Sequence, residues 1–285
     1  MDNNHKLLDG CKPVNIVQAS IIYFNIRGFM THCDVKCDTI GSFGKKNVNE
    51  EYNDIDIAVQ YPWGLHEHMI RNLERTFGQM KVGNINHNLH VVNFKFEYEE
   101  DKFAQVDLMF VDNLKYARFA YHSPDFKKKE SEFKGMYASI LLQSAVRNIP
   151  VEREHFEDGS LKEWKYYKLS QQKGLLLKHK TFIGLRGKPV KTAREISETF
   201  VTDDVTQIME TVFKDKYAEN HVYTFEKLLD YITSPDFKGV SKEFHKEYIK
   251  RVKDDFLSDW QFEMKTPDDM KRTFEILFNL KLTAL

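Results

Sequence analysis

The sequence predicts an α+β protein, with an N-terminal domain on a mixed β-sheet and a mostly helical C-terminal region that contains a β-hairpin. Two alternating segments within residues 90–111 indicate the sheet. A series of capped helix starts after residue 200 indicates the helical region. We place the boundary at 115/116, so that the domains cover residues 1–115 and 116–285.

Apolar periodicity and breaker residues define the elements of the first domain. Val17, Ile21 and Phe24 recur at helical spacing, and Pro62 ends a strand because it cannot donate to a β-ladder. The expected order is helix, strand, strand, helix, strand, strand: 14–30, 35–40, 55–61, 65–77, 90–98 and 103–111.

The second domain begins with a predicted helix at 133–148, followed by a hairpin at 164–184 that turns at 172–174. Helices then dominate, because capping residues precede each amphipathic segment. The predicted starts are Thr202, Thr224, Ser241 and the pair Thr266-Pro267.

Composition sets limits on the class of protein. Length and a hydrophobic fraction of 41% allow a substantial core, whereas the formal net charge of −1 identifies no partner. Three cysteines are too few, and odd in number, for a disulfide framework, which favours a reducing compartment. Polar residues interrupt the most apolar segment, 14–30, so we expect a cytoplasmic protein with no membrane partner.

Two carboxylates lie in a segment that otherwise has the character of a buried strand. Asp54 and Asp56 alternate with Ile55 and Ile57, so both acids project from one face while the isoleucines enter the core. Asp107 alternates in the same way with its apolar neighbours on a later strand. If these strands are close, three negative charges converge, and a divalent cation such as Mg²⁺ or Mn²⁺ would compensate them.

The turn before these acids is suited to phosphate. Gly41 allows a close approach of the backbone to a phosphate group, and the Ser42 hydroxyl can donate to a phosphate oxygen. Lys45 and Lys46 follow and could neutralise a triphosphate. Each motif is common alone, so the prediction depends on their combination.

This combination resembles the nucleotidyltransferase superfamily that includes DNA polymerase β, poly(A) polymerases, CCA-adding enzymes and cyclic-dinucleotide synthases. The family motif begins with a hydrophobic residue, followed by Gly and then by Gly or Ser. After a spacer of about nine to thirteen residues, acidic and hydrophobic residues alternate. Ile40-Gly41-Ser42 and Asp54-Ile55-Asp56-Ile57 match it, and Val106-Asp107-Leu108 matches the third carboxylate. The resemblance covers about residues 14–112 and identifies no subfamily.

The resemblance implies a polymerase β-like palm and two-metal chemistry. Asp54, Asp56 and Asp107 would be the catalytic metal ligands, with Gly41, Ser42 and Lys45 binding the nucleotide. One Mg²⁺ or Mn²⁺ ion would bind the triphosphate, and the other would activate an acceptor hydroxyl for attack on the α-phosphorus. The expected donor is an NTP, with ATP preferred, and pyrophosphate would leave.

A basic segment favours RNA, including tRNA, as the acceptor. Residues 160–195 contain ten Lys or Arg against two Glu, interleaved with aromatic residues. Its candidate contacts to nucleic acid or to triphosphate are Lys178, Lys180, Arg186 and Lys188. The lysines could equally be solvated and the aromatics could be core residues.

Two other functions are compatible with the same core. One is an enzyme that makes cyclic or short oligonucleotides, or that places AMP on a protein side chain. The other is a non-enzymatic module that binds nucleic acid. Retention of all three carboxylates argues against the non-enzymatic alternative, because clustered charge is unfavourable without a cation. The sequence does not predict the oligomeric state.

Overall fold

The computed structural model describes residues 7–78, 80–157, 159, 161–182 and 193–285. Contacts within the chain divide it into two compact units, Met1–Glu132 and Phe133–Leu285. This division lies 17 residues beyond the 115/116 boundary drawn from the sequence. The segment after residue 115 includes a short helix that packs with the first unit.

The first unit alternates helices and strands in an order that confirms most of the sequence prediction. Its elements are α1 (Ile16–His32), β1 (Lys36–Thr39), β2 (Asp54–Gln60), α2 (His66–Thr76), β3 (Met80–Asn86), β4 (Val91–Glu99), β5 (Lys102–Val111) and α3 (Leu114–Ala120). The sequence prediction missed β3 and α3. A bulge at Gly83 interrupts the alternation of β3, and α3 has only seven residues.

In the described part of this unit, five strands form a mixed sheet in the order β1-β2-β5-β4-β3. The β2–β5 pair is parallel, and the remaining pairs are antiparallel. The two strands that carry the predicted metal ligands are therefore direct neighbours at the centre of the sheet. This pairing is a tertiary contact between segments about 50 residues apart in sequence.

The two faces of this sheet are covered differently. One face packs with α1 and α2 in a core that includes Ile55, Ile57, Val106 and Leu108. On the opposite face, α3 packs through Ala117 over a small cluster that includes Ala58 and Val111. The three aspartates share that second face with Ala58, since side chains alternate along each strand.

Helix α1 forms as predicted, but its core face differs from the expected one. Val17, Ile21 and Phe24, whose spacing predicts the helix, are exposed by 64%, 57% and 61%. The helix is apolar on several sides, and it buries Ile22, Ile26 and others instead. Periodicity alone therefore identified the helix correctly and its buried side wrongly.

The second unit contains a sheet as well as the expected helices. Its elements are α4 (Gly135–Asn148), β6 (Glu152–His155), β7 (Leu161–Ser170), β8 (Gly174–Phe182), β9 (Ala193–Thr202), α5 (Val205–Phe213), α6 (Phe225–Ile232), α7 (Lys242–Ser258), α8 (Trp260–Lys265) and α9 (Asp268–Ala284). The predicted hairpin is β7–β8. In the described residues it is the centre of a four-stranded antiparallel sheet in the order β6-β7-β8-β9.

The helices of this unit pack around aromatic side chains, and α4 contacts α6, α7 and β7. Phe225, Phe256, Phe274 and Phe278 are fully buried and lie in ring contact with one another. The Thr224 hydroxyl caps α6 by accepting the Lys227 amide, as the sequence predicts. Helix α5 is capped by Asp204, so the predicted start at Thr202 is wrong by two residues.

Among the helices that the structure describes, we find none with both the length and the apolar character needed to cross a bilayer.

Candidate metal centre

The parallel pairing of β2 and β5 brings the three aspartates together. Asp56 lies directly opposite Asp107, and Asp54 lies opposite Gln105. One carboxylate oxygen from each aspartate lies within 4.8 Å of the other two. In the described ranges of the chain, no other group of three acidic, His or Cys side chains converges in this way. The convergence expected from the sequence is therefore present.

The three carboxylates are partly or largely removed from water, and Asp107 is only 9% exposed. Burial, reinforced by the charges of Asp54 and Asp107, raises the pKa of Asp56 well above its usual range, although Lys46 opposes the effect. Burial raises the pKa of Asp107 to about 6, and Asp54 adds to this effect. Without a cation, the cluster disfavours full ionisation.

Gly41 lies against the Asp56 carboxylate. It follows β1, and the Ile40 amide donates to the Asp56 carbonyl at 3.1 Å. A Cβ at position 41 would lie 3.2 Å from Cγ of Asp56 and closer still to Oδ2. The backbone of Gly41 also has φ of +64°, which favours glycine. The absence of a side chain at position 41 therefore provides the space that this carboxylate occupies.

The turn residues are held by bonds that the sequence did not predict. The Gly41 amide, expected to approach phosphate, donates to the Tyr121 carbonyl at 3.1 Å. The carbonyl of Ser42 accepts the Lys45 amide at 3.0 Å and closes the turn. The Lys45 ammonium donates to the Ser123 carbonyl at 2.6 Å, and burial lowers its pKa. Contact between Lys45 and a triphosphate would require this bond to be released.

Lys46 is the turn lysine whose charge acts on the carboxylates. Its ammonium donates to the Glu51 carbonyl at 2.7 Å and lies 5.0 Å from the centre of the Tyr52 ring. From that position it lowers the pKa of Asp56. The sequence suggested that Lys45 and Lys46 both neutralise a triphosphate. The fold shows that they differ, because Lys45 is bonded to the Ser123 carbonyl and Lys46 acts on Asp56.

The donor set fits a hard divalent cation. All three side chains offer oxygen, the ligand atom that Mg²⁺ and Mn²⁺ prefer, and the three oxygens lie at a separation that one ion could bridge. The space beside Asp56 left by Gly41 keeps its carboxylate within this group. Asp54, Asp56 and Asp107 could therefore bind a metal ion.

Two amide residues at this site were missed by the sequence analysis. Gln105 Nε2 donates to Asp107 Oδ1 at 3.0 Å, and the Asn93 side chain also donates to Asp107. Gln105 shares a strand face with Asp107 at a spacing of two, so alternation could have identified it. Asn93 lies opposite Asp107 on β4, a position that depends on strand register.

In the described part of the basic segment, several lysines are paired with acids. Lys178, predicted to contact nucleic acid or triphosphate, is buried and forms an ion pair with Glu198 on β9. Lys165 pairs with Glu152 of β6 at 2.5 Å. Both acids lie outside the range 164–184 predicted as a hairpin, so the local excess of lysine overstated the available positive charge.

Lys180 is half-buried, and its ammonium lies 5.3 Å from the centre of the Tyr166 ring. Tyr166 in turn contacts Trp164, with ring centres 4.4 Å apart. The remaining predicted contacts, Arg186 and Lys188, lie outside the described residues. The structure therefore places one of the four predicted basic contacts at a partly accessible position beside aromatic rings.

Comparison of the sequence with models of known protein families and with curated proteins returned no match. Functional inference for this chain thus depends on its motifs and on the geometry of the carboxylate cluster.

Replacement of Gly41 by alanine tests the packing beside Asp56. We expect Gly41→Ala to weaken Mn²⁺ binding by about tenfold or more, because the new Cβ displaces the Asp56 carboxylate. Gly44→Ala is the matched control, since Gly44 also has positive φ, +73°, but has open space around its Cβ position. Both variants carry backbone strain of about 1–3 kcal/mol. Equal Mn²⁺ affinity in titrations of the two variants would contradict the expected displacement.

Proposed function

We propose that this protein is a metal-dependent nucleotidyltransferase of the polymerase β-like superfamily. It would transfer a nucleoside monophosphate from an NTP to a hydroxyl acceptor, with release of pyrophosphate. The main support is the cluster of Asp54, Asp56 and Asp107 on two parallel strands, with the Gly41 backbone packed against Asp56. This arrangement agrees with the spacing of the motifs that carry the resemblance.

The residues of this chain would have separate tasks in the reaction. Asp54, Asp56 and Asp107 would hold divalent cations, and Ser42 would donate its hydroxyl to a phosphate oxygen. Bound cations would neutralise the triphosphate and lower the pKa of the acceptor hydroxyl. The acceptor oxygen would form a bond to the α-phosphorus as the bond to pyrophosphate breaks, and the hydroxyl proton would pass to solvent water. Positioning and charge neutralisation would account for most of the acceleration.

An RNA 3′ end is the acceptor that we favour. In support, the second unit combines aromatic rings with Lys180 and with the exposed Lys168 on the same antiparallel sheet. Aromatic and cationic side chains together suit single-stranded nucleic acid, because bases stack and phosphates are neutralised. Lys165 and Lys178 form ion pairs with acids, so this support rests on Lys168 and Lys180.

Transfer of label from NTPs tests the proposal. The full chain is incubated with Mg²⁺, each α-labelled NTP, and a mixed pool of tRNA and oligoribonucleotides. We expect label on RNA, most strongly from ATP, and none with an Asp54→Ala/Asp56→Ala variant. Label in small nucleotides or on protein would retain the enzyme class but change the acceptor. No transfer to any acceptor would refute the proposed function.

A further inference from the structure

The Asp107 carboxylate is held by amides from two strands. Gln105, two residues earlier on β5, donates through Nε2 to Oδ1 at 3.0 Å. Asn93, opposite Asp107 on β4, donates through its side chain as well. Gln105 and Asp107 are each only 9% exposed, so these bonds are largely shielded from competing water. The carboxylate therefore has little freedom to rotate.

The two amide side chains are themselves held in place, because the oxygen atom of each accepts a hydrogen bond. The Leu8 backbone amide donates to Gln105 Oε1 at 2.8 Å. The Asn84 side chain donates through Nδ2 to Asn93 Oδ1 at 3.4 Å. Because each amide oxygen already accepts a hydrogen bond, the amino end of each side chain is directed toward Asp107. Rotation of the Gln105 amide by 180° would place its amino group against the N–H donor of Leu8.

A β-bulge creates the outer part of this arrangement. Val82 pairs with Phe94, whereas Asn84 pairs with Asn93, so Gly83 is the extra residue on β3. Bulges commonly redirect a side chain in this way. A Cβ at Gly83 would overlap the Leu8 side chain, so the N-terminal segment packs over the bulge and also supplies the Leu8 amide. The amides on β3, β4 and β5 thus form one connected network.

We propose that Asn93 and Gln105 are positioning residues that orient the Asp107 carboxylate toward a cation shared with Asp54 and Asp56. The inference rests on the proposed function, because it concerns the same metal centre. Donors that bond the ligating carboxylate fix its orientation, and loss of such partners typically lowers metal affinity by about 10–100-fold. The network acts through Asp107, the carboxylate to which both amides donate.

The test is Mn²⁺ affinity, measured by EPR titration on the full chain. Gln105→Met and Asn93→Leu remove the donors at similar side-chain size, and each should weaken Mn²⁺ binding about tenfold or more. Gln60→Met is the matched control, because Gln60 lies on neighbouring β2 and donates to the Asp112 carbonyl, outside the cluster. Its Mn²⁺ affinity should equal that of the wild type. Thermal unfolding in EDTA verifies that each variant is folded.

Affinity within about twofold of the wild type in folded Gln105→Met and Asn93→Leu would overturn the proposal. If those variants fail to fold, Asn84→Ala is the alternative test, because position 84 is exposed and the substitution should leave the fold intact. It should weaken Mn²⁺ binding severalfold, and unchanged affinity would then be decisive against the network. Wild-type protein that binds no Mn²⁺ would refute both proposals. Mn²⁺ binding that depends on the amides, without nucleotidyl transfer, would refute only the proposed function.

Discussion

Asp56→Asn should abolish nucleotidyl transfer while the protein remains folded. Asp56 lies between its two partners, opposite Asp107 and on the same strand face as Asp54. The substitution keeps the shape of the side chain but removes a charged ligand. Loss of several kcal/mol of charge stabilisation corresponds to a rate reduction of about 10³-fold or more. Single-turnover transfer from labelled NTP measures the effect.

Asp112→Asn is the matched control for this experiment. Asp112 is exposed and lies just beyond the end of β5, the strand that carries Asp107, so its carboxylate is outside the cluster. Its transfer rate should remain close to the wild-type rate. If Asp56→Asn retains more than about a tenth of wild-type activity, a difference of under 1.4 kcal/mol, the central role of this carboxylate is wrong.

Asp107→Asn should make the metal-free protein more stable at neutral and alkaline pH, although it weakens the metal site. The folded state raises the pKa of Asp107 from the ordinary 3.8 to about 6. Between these values the unfolded state binds fewer protons than the folded state, so stability falls as pH rises through this window. Asparagine cannot ionise, and the variant therefore avoids this loss.

The expected gain follows from the same shift. The difference between the folded and ordinary pKa values of Asp107 corresponds to about 3 kcal/mol of stability. One unfavourable contact between the asparagine amide and its neighbouring donors reduces the net gain to about 1–2 kcal/mol. The gain should be present at about pH 8 and absent at about pH 3, below both pKa values. Urea unfolding in EDTA across this range measures the free energy of unfolding.

Divalent cation should reverse the order of stability. Bound Mn²⁺ stabilises the folded wild type by mass action, whereas Asp107→Asn should gain less because it has lost one ligand. A variant that is less stable than the wild type at about pH 8 in EDTA would show that the carboxylate contributes favourably even without metal. That result would contradict the electrostatic account of the cluster.

Much of the carboxylate cluster was predictable because alternation is a local property of a strand. Asp54 and Asp56 alternate with isoleucines, so their common face follows from the chain alone. Asp107 could be assigned to its own strand face in the same way. The sequence did not predict that the two strands are neighbours, and convergence of the three carboxylates depended on it. The parallel pairing of β2 with β5 makes them neighbours.

The charge of the second unit shows where local reasoning failed. The excess of basic residues over 160–195 suggested a surface for phosphate, yet Lys165 and Lys178 of that segment are each paired with an acid from another strand. Those partners come from β6 and β9, neither of which the sequence analysis predicted. The same limit explains α1, whose apolar residues on several sides left its buried face undetermined until packing was known.

The chain alone therefore determined most of the helices, part of the strands, the Gly41 turn and the face of each carboxylate, since these follow from periodicity and backbone preference over a few residues. Tertiary structure decided which strands are neighbours, which lysines are paired, and that Asn93 and Gln105 hold Asp107. Those features depend on strand register and on segments distant in sequence. A bulge of one residue at Gly83 is enough to move Asn84 opposite Asn93.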